Sequence, residues 1–272
     1  MIARARPLLG TVVTIAADGP LHEPLAVAAV DAAFAVMARV GQVMSAHDPR
    51  SDLGRMARAA CGEVLTLDPH TVAVLRAARY WHRQSAGAFN PVQAARTLAR
   101  QGVRPGLHWP VQACADLQAL DIVSETQVRM SEPVLLDLGG IAKGYAVDRA
   151  IEVLAGHGLS EAIVNAGGDI RVLGQRGYAV DVRHAGNHLR GRSVNTVRRL
   201  CQSALATSVA DPRETDFVKT VQTRRACWRS ATVVAKDCMT ADVLTKWALQ
   251  SGLMCPDLKA AMRKHQAKMW RS

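Results

Sequence analysis

Apolar and polar positions recur along the chain at spacings that name its elements. Thr11-Val-Val-Thr-Ile-Ala16 reads as a first strand, closed by a turn at Asp18-Gly-Pro20. Pro24 suits a helix start, and the Ala- and Val-rich run Leu25 to Val43 places Phe34, Met37 and Val40 on one buried face of a long amphipathic helix. Gly62-Glu-Val-Leu-Thr-Leu67 reads as a strand. Asp68-Pro69 then caps and opens a helix that runs to about Ser85 and ends at Gly87. Gly102, Pro105, Gly106 and Pro110 interrupt any element between residues 92 and 120, which reads as a connection. Strands are expected at Gln127 to Met130, Val134 to Leu138, Ala162 to Asn165, Ile170 to Leu173, Tyr178 to Arg183 and Ser230 to Ala235. Thr240 is expected to cap a last core helix, and Pro256 to Trp270 to form a basic appended helix. The fold class is therefore α+β, with mixed sheets packed with helices. One domain is expected over residues 1–252, with a basic helical extension over 253–272.

The run Val134 to Asp148 organises the rest. An apolar stretch (Val134, Leu135, Leu136, Leu138) turns on Gly139-Gly140 and enters a helix, with Val147, Ala150, Ile151 and Leu154 at helical spacing. Bare backbone followed by the first amides of a helix favours an anion, and Lys143 adds a charge in the first turn. Asp137 is a carboxylate suited to a ribose hydroxyl, an adenine amine or a metal. A second pair, Gly167-Gly168, joins two expected strands and is flanked by Asn165 and Asp169. Either pair alone is equally a tight connection, and neither the G-x-G-x-x-G nor the G-x-x-x-x-G-K-[ST] spacing is present.

Composition narrows the classes. A chain of 272 residues that is 49% hydrophobic can bury a sizeable core, and no run of about 18 apolar residues marks a transmembrane helix. No signal peptide is visible at Met1 to Gly10, so the expected location is cytoplasmic, or periplasmic if the N-terminus is trimmed. The net charge of +11 suits nucleic acid, an anionic membrane surface or a phosphorylated ligand. Aromatics at 4% and the absence of any DNA- or RNA-binding motif argue against nucleic acid, and the basic clusters read as solvated faces. The six cysteines show no C-x-x-C and no zinc spacing, so most are expected to be small buried residues.

The motifs Asp137-Leu-Gly-Gly-Ile-Ala-Lys-Gly-Tyr-Ala-Val-Asp148 and Asn165-Ala-Gly-Gly-Asp169 resemble the signature of the ApbE family, the FAD:protein FMN transferases. Leu9-Gly-Thr11, Met44-Ser-Ala-His-Asp-Pro-Arg-Ser-Asp-Leu53, Ser85-Ala-Gly-Ala-Phe-Asn-Pro91, Ala204-Leu-Ala-Thr-Ser208 and Ala241-Asp-Val-Leu-Thr245 agree in order. The resemblance implies a T-fold-like α+β domain. It also implies a Mg²⁺-dependent enzyme that moves FMN from FAD onto a Thr or Ser of an acceptor flavoprotein and releases AMP. FAD hydrolysis to FMN and AMP, and FAD binding without catalysis, are the alternatives.

By the same resemblance the nucleotide is held by Leu9, Ser45, His47, Ala88, Phe89, Asn90, Asp137, Gly139, Gly140, Lys143, Gly167 and Gly168. Lys143 and Asp242 are the expected catalytic residues, and Gly140, Asp242 and Thr245 the expected metal ligands. Asp242 and Thr245 are three apart on one helix face, where relatives often use a spacing of four. His47 stands where many relatives have an aromatic residue, and Asn90 where they carry Asp. Val209 to Arg229 is shorter than in relatives, lacks their histidine and keeps only Asp211-Pro212-Arg213 as an echo of the pattern.

Overall fold

The computed structural model describes residues 1–92, 117–132, 134–183, 195–210, 228–252 and 254–271. In chain order its strands are β1 (Ile2–Leu8), β2 (Thr11–Asp18), β3 (Val64–Thr66), β4 (Leu120–Ile122), β5 (Gln127–Met130), β6 (Glu161–Ala166), β7 (Asp169–Leu173), β8 (Tyr178–Arg183), β9 (Asn195–Leu200), β10 (Ala204–Val209), β11 (Ser230–Ala235) and β12 (Lys268–Arg271). The helices are α1 (Glu23–Val43), α2 (Asp52–Met56), α3 (Pro69–Gln84), α4 (Ala142–Gly156), α5 (Cys238–Ser251) and α6 (Pro256–Lys264). The chain divides into two compact units, one of Met1–Arg39 with Lys143–Ser272 and one of Val40–Ala142.

The first unit is built on a seven-stranded sheet in the order β1-β2-β6-β7-β10-β11-β12. Strands β2 and β6 bury alternate residues, with Val13, Ile15 and Ala17 on one and Ala162, Val164 and Ala166 on the other, as period-two side chains must when one face is covered. Strands β8 and β9 form a separate hairpin, whose Val180, Val182 and Leu200 join Ile170, Val172 and Leu205 in one apolar cluster. Helix α5 lies against β10 and β11 and buries Ala241, Leu244, Trp247 and Ala248.

Two hairpins in this sheet close on two-residue turns. Leu8 pairs with Thr11, so Leu9 (φ 56°) and Gly10 (φ 71°) turn the chain in the left-handed region that twisted hairpins prefer. Ala166 pairs with Asp169 across Gly167 (φ 64°) and Gly168 (φ 105°) in the same way. A Cβ on Gly167 would lie 2.6 Å from Thr11 Oγ1, so the second turn can rest beside Thr11 only because it has no side chain.

The second unit carries the three-stranded sheet β3-β5-β4 with α2 and α3. Asp68 caps α3 by accepting from the His70 amide at 2.8 Å, and Ala86 and Gly87, both at positive φ, end it, as the sequence predicts. Buried Asp52 ties α2 to α3: its Oδ2 accepts from the Asp68 amide at 2.8 Å and from Thr71 Oγ1 at 2.7 Å.

The α+β class holds, and within it every strand pairing among the described residues is antiparallel, where mixed sheets were expected. Val134 to Leu138 is buried but joins no strand ladder; its Asp137 amide donates to the Pro91 carbonyl at 3.0 Å. Asp237, not Thr240, caps α5, accepting from the Thr240 amide at 2.8 Å. The expected basic helix over Pro256 to Trp270 stops at Lys264, and Lys268–Arg271 returns as an edge strand on β11. Cys61 and Cys201 are exposed and only Cys238 is buried among the described cysteines, against the expectation that most are core residues.

Helix α1 is long and apolar enough by composition to cross a membrane. However, Ala26, Ala29, Val30, Ala33, Phe34, Met37 and Val40 form a buried helical stripe, the mark of a core helix. The connection over residues 93–116, the shortened segment over 211–227 and most of the basic cluster around residue 190 lie outside the described residues.

Candidate functional site

The residues expected to act divide between the two units. In the second unit, Asp137 Oδ1 accepts from the Gly139 amide at 2.8 Å, so the Gly139-Gly140 turn is shaped by an Asx bond rather than by positive φ. The bond from the Asp137 amide to Pro91 sets this turn beside Ala88, Phe89 and Asn90, with Phe89 buried and Asn90 Oδ1 accepting from the Val92 amide at 3.0 Å.

Ser45 and His47 belong to a separate loop of the same unit. Ser45 Oγ accepts from the amides of His47 at 3.2 Å and Asp48 at 3.1 Å, and Ser51 Oγ donates to the Ser45 carbonyl at 2.6 Å. The loop lies directly on α2, because a Cβ on Gly54 would meet the Asp48 carbonyl oxygen at 2.4 Å. His47 is left exposed.

In the first unit the expected residues converge. Asp169 follows the Gly167-Gly168 turn directly, and its Oδ2 lies 2.9 Å from Lys143 Nζ in the first turn of α4. The turn itself is closed by the Gly168 amide donating to Asn165 Oδ1 at 2.9 Å. Asp242 on α5 is fully buried, and its Oδ2 accepts from the Gly144 amide at 3.3 Å. Gly144 has to be glycine, since a Cβ there would meet the Cys238 carbonyl oxygen at 2.6 Å. Thr245, also fully buried, donates to the Asp242 carbonyl at 2.7 Å and lies 2.6 Å from Ser208 Oγ on β10.

Lys246, which the sequence reading passed over, completes the group. Its Nζ lies 2.7 Å from Asp242 Oδ1 and donates to Ser208 Oγ at 2.5 Å. A donor chain thus runs from Lys246 through Ser208 and Thr245 to the Asp242 carbonyl. Asp148, the last residue of the first motif, is a second buried hub. It accepts from the amides of Cys238 at 2.8 Å and Met239 at 2.9 Å at the start of α5, and from Arg171 Nη1 at 2.8 Å. A carboxylate there answers the unpaired amides and positive end of the helix.

Burial pushes Asp169 up to about 6, helped by the nearby Asp242 and opposed by Lys143 and Lys246. Burial also pushes Asp148 up to about 6, against the pull of Arg171 and the two amides. At Lys143, burial works to lower the value, but the carboxylates of Asp169 and Asp242 outweigh it and the net shift is upward. Lys143 therefore remains a cation. The unit presents two ammonium groups and two buried carboxylates behind a Gly-Gly hairpin tip, an arrangement able to receive an anionic group if a carboxylate gives up its partner.

The profile of the ApbE family matches residues 9–265. Two curated relatives, both named FAD:protein FMN transferase, are similar to the chain. The one from Treponema pallidum (strain Nichols) is 28% identical over 204 residues, 67% of this chain and 54% of the relative. The one from Rhodobacter capsulatus is 31% identical over 128 residues, 43% of this chain and 24% of the relative. The matched stretches thus span about half and about a quarter of these relatives' lengths. Among solved structures, the flavin transferase ApbE from Vibrio cholerae superposes with a TM-score of 0.81 at 21% identity, covering 99% of this chain and 92% of that one. The ApbE protein from Thermotoga maritima gives 0.78 at 22% identity, covering 99% and 93%. These two establish the likeness of fold, and the profile match along nearly the whole sequence places the chain in the ApbE family.

Proposed function

We propose that this chain is an FAD:protein FMN transferase. In the proposed reaction the hydroxyl oxygen of an acceptor Ser or Thr attacks the phosphorus on the FMN side of the FAD pyrophosphate. A phosphoester forms, the bond from that phosphorus to the bridging oxygen breaks, AMP leaves with that oxygen, and the hydroxyl proton passes to solvent. The phosphoryl centre is crowded with negative charge, so catalysis of such a step is mainly a matter of positioning and fixed positive charge. The observation that carries the reading is the cluster of Lys143, Asp169, Asp242 and Lys246 at the Gly167-Gly168 tip, in a chain of this family. Lys143 is the proposed phosphate contact, and Leu9, Gly167 and Gly168, in the two hairpin turns, are proposed nucleotide contacts. Ser45, His47, Ala88, Phe89, Asn90, Asp137, Gly139 and Gly140 are the proposed nucleotide contacts of the second unit.

The resemblance also brings Mg²⁺, held by Gly140, Asp242 and Thr245. A divalent ion at the pyrophosphate would neutralise charge as it develops. Asp242 and Thr245 are hard oxygen donors of the right kind. Their arrangement does not fit the ion, however. Asp242 Oδ1 is bonded to an ammonium and Oδ2 to an amide, and the Thr245 hydroxyl is engaged on both sides.

The test is nucleotide chromatography after incubating the chain with FAD, with and without an acceptor flavoprotein. AMP released only with the acceptor is expected. FMN and AMP without an acceptor would instead make the chain a hydrolase, and unchanged FAD throughout would leave it a binding protein.

A further inference from the structure

We infer that Lys246 is this protein's own cation at the Asp242 site, so that the site excludes a divalent ion and takes its anionic ligand without one. The inference rests on the proposed FAD site and goes beyond it by assigning the residue that supplies the charge. Asp242 and Lys246 are four apart on α5, the spacing that stacks two side chains on one helix face, with the acid toward the N-terminus in the more favourable order. The carboxylate is fully buried and the lysine side chain is 32% exposed, so the ammonium reaches the buried carboxylate from the wetter side. Its contact with Ser208 leads into the hydroxyl relay through Thr245, which leaves neither hydroxyl free to turn toward an ion.

Charge bookkeeping points the same way. The two carboxylates, Asp169 and Asp242, already face two ammonium groups, Lys143 and Lys246. A divalent ion on Asp242 would have to sit within a few ångströms of Lys246, and like charges at that distance in a buried site repel strongly. The same ammonium that repels a metal attracts a phosphate. A pyrophosphate-bearing ligand can draw on the charge of Lys143 and Lys246 once an ammonium turns from its carboxylate partner toward the phosphates.

The experiment measures Mn²⁺ alone, by the loss of its free-ion paramagnetic resonance signal, so it stands apart from any flavin activity. The unaltered chain is expected to bind no Mn²⁺ that Asp242→Asn removes. Lys246→Met should bind one equivalent at least about tenfold more tightly, and the double variant with Asp242→Asn should lose it. Mn²⁺ bound by the unaltered chain and lost in Asp242→Asn would overturn the inference, as would a folded Lys246→Met that takes up none. Should Lys246→Met not fold, the comparison of the unaltered chain with Asp242→Asn decides alone. In a parallel arm, FAD titrated in EDTA and in Mg²⁺ should give the same affinity. An affinity that needs Mg²⁺ would overturn the inference. No binding of FAD under either condition would count against the proposed function while leaving the Mn²⁺ result to stand.

Discussion

Asp169 holds Lys143 at 2.9 Å while itself being a buried carboxylate raised to about 6, so the pair is sensitive to both salt and pH. Replacing Lys143 with alanine should weaken FAD binding by about 2 kcal/mol, with the larger loss at low ionic strength, where a charge contact is least screened. Flavin fluorescence titration at two salt concentrations reads this directly, and an unchanged affinity at low salt would leave Lys143 only as the structural partner of Asp169. For Asp169 the folded-state value lies above the ordinary 3.8. Its contribution to stability is thus full below that value and is lost as pH rises through about 6. On going from about pH 7.5 to about pH 5, the unaltered chain should gain in melting temperature relative to Asp169→Asn. A gap that stays constant, or moves the other way, would contradict the assignment.

The sequence singles out Lys143, Asp242 and Thr245 through glycine turns, helical spacing and resemblance, and the structure places all three in the first unit, Lys143 against Asp169 and Thr245 against the Asp242 carbonyl. Lys246 was missed although its signal was present. Its spacing of four from Asp242 allows an intrahelical ion pair, but the resemblance assigns Asp242 to a metal and so draws attention away from a partner on the same helix.

Asp148 shows how one side chain can hold elements together. It sits on α4, bonds Arg171 on β7, and accepts from two amides at the start of α5, the helix that carries Asp242, Thr245 and Lys246. Asp148→Ala should destabilise the fold by about 3–5 kcal/mol, because it leaves a guanidinium and two helix-end amides without their buried acceptor. Urea unfolding measures this, and a loss of under about 1 kcal/mol would mean that water or a neighbour replaces the carboxylate.

The elements that the pattern located best, β5, β8 and β11, are runs with clear alternation or burial between turn residues. Those it missed include both edges of the large sheet. Strand β1 reads Ile-Ala-Arg-Ala-Arg-Pro-Leu and exposes its middle residues, while β12 reads Lys-Met-Trp-Arg. Edge strands pair on one side only and are kept charged, so they lack the buried stripe that marks a strand in sequence. Val134 to Leu138 errs in the opposite sense. Its apolar run is buried as the pattern requires, but burial alone does not dictate a ladder.

At the scale of the whole molecule, family membership and the antiparallel α+β fold stand on the sequence profile and on likeness to solved ApbE structures. Transfer of FMN, with the positive charge supplied by lysines, can be measured in one experiment. Intact-mass spectrometry of an acceptor flavoprotein, incubated with the chain and FAD in EDTA, tests both at once. An acceptor heavier by one FMN esterified with loss of water is expected, in the same yield when Mg²⁺ replaces the chelator. An acceptor of unchanged mass under both conditions would contradict the transferase assignment, and a mass gain seen only with Mg²⁺ would contradict the role given to Lys246.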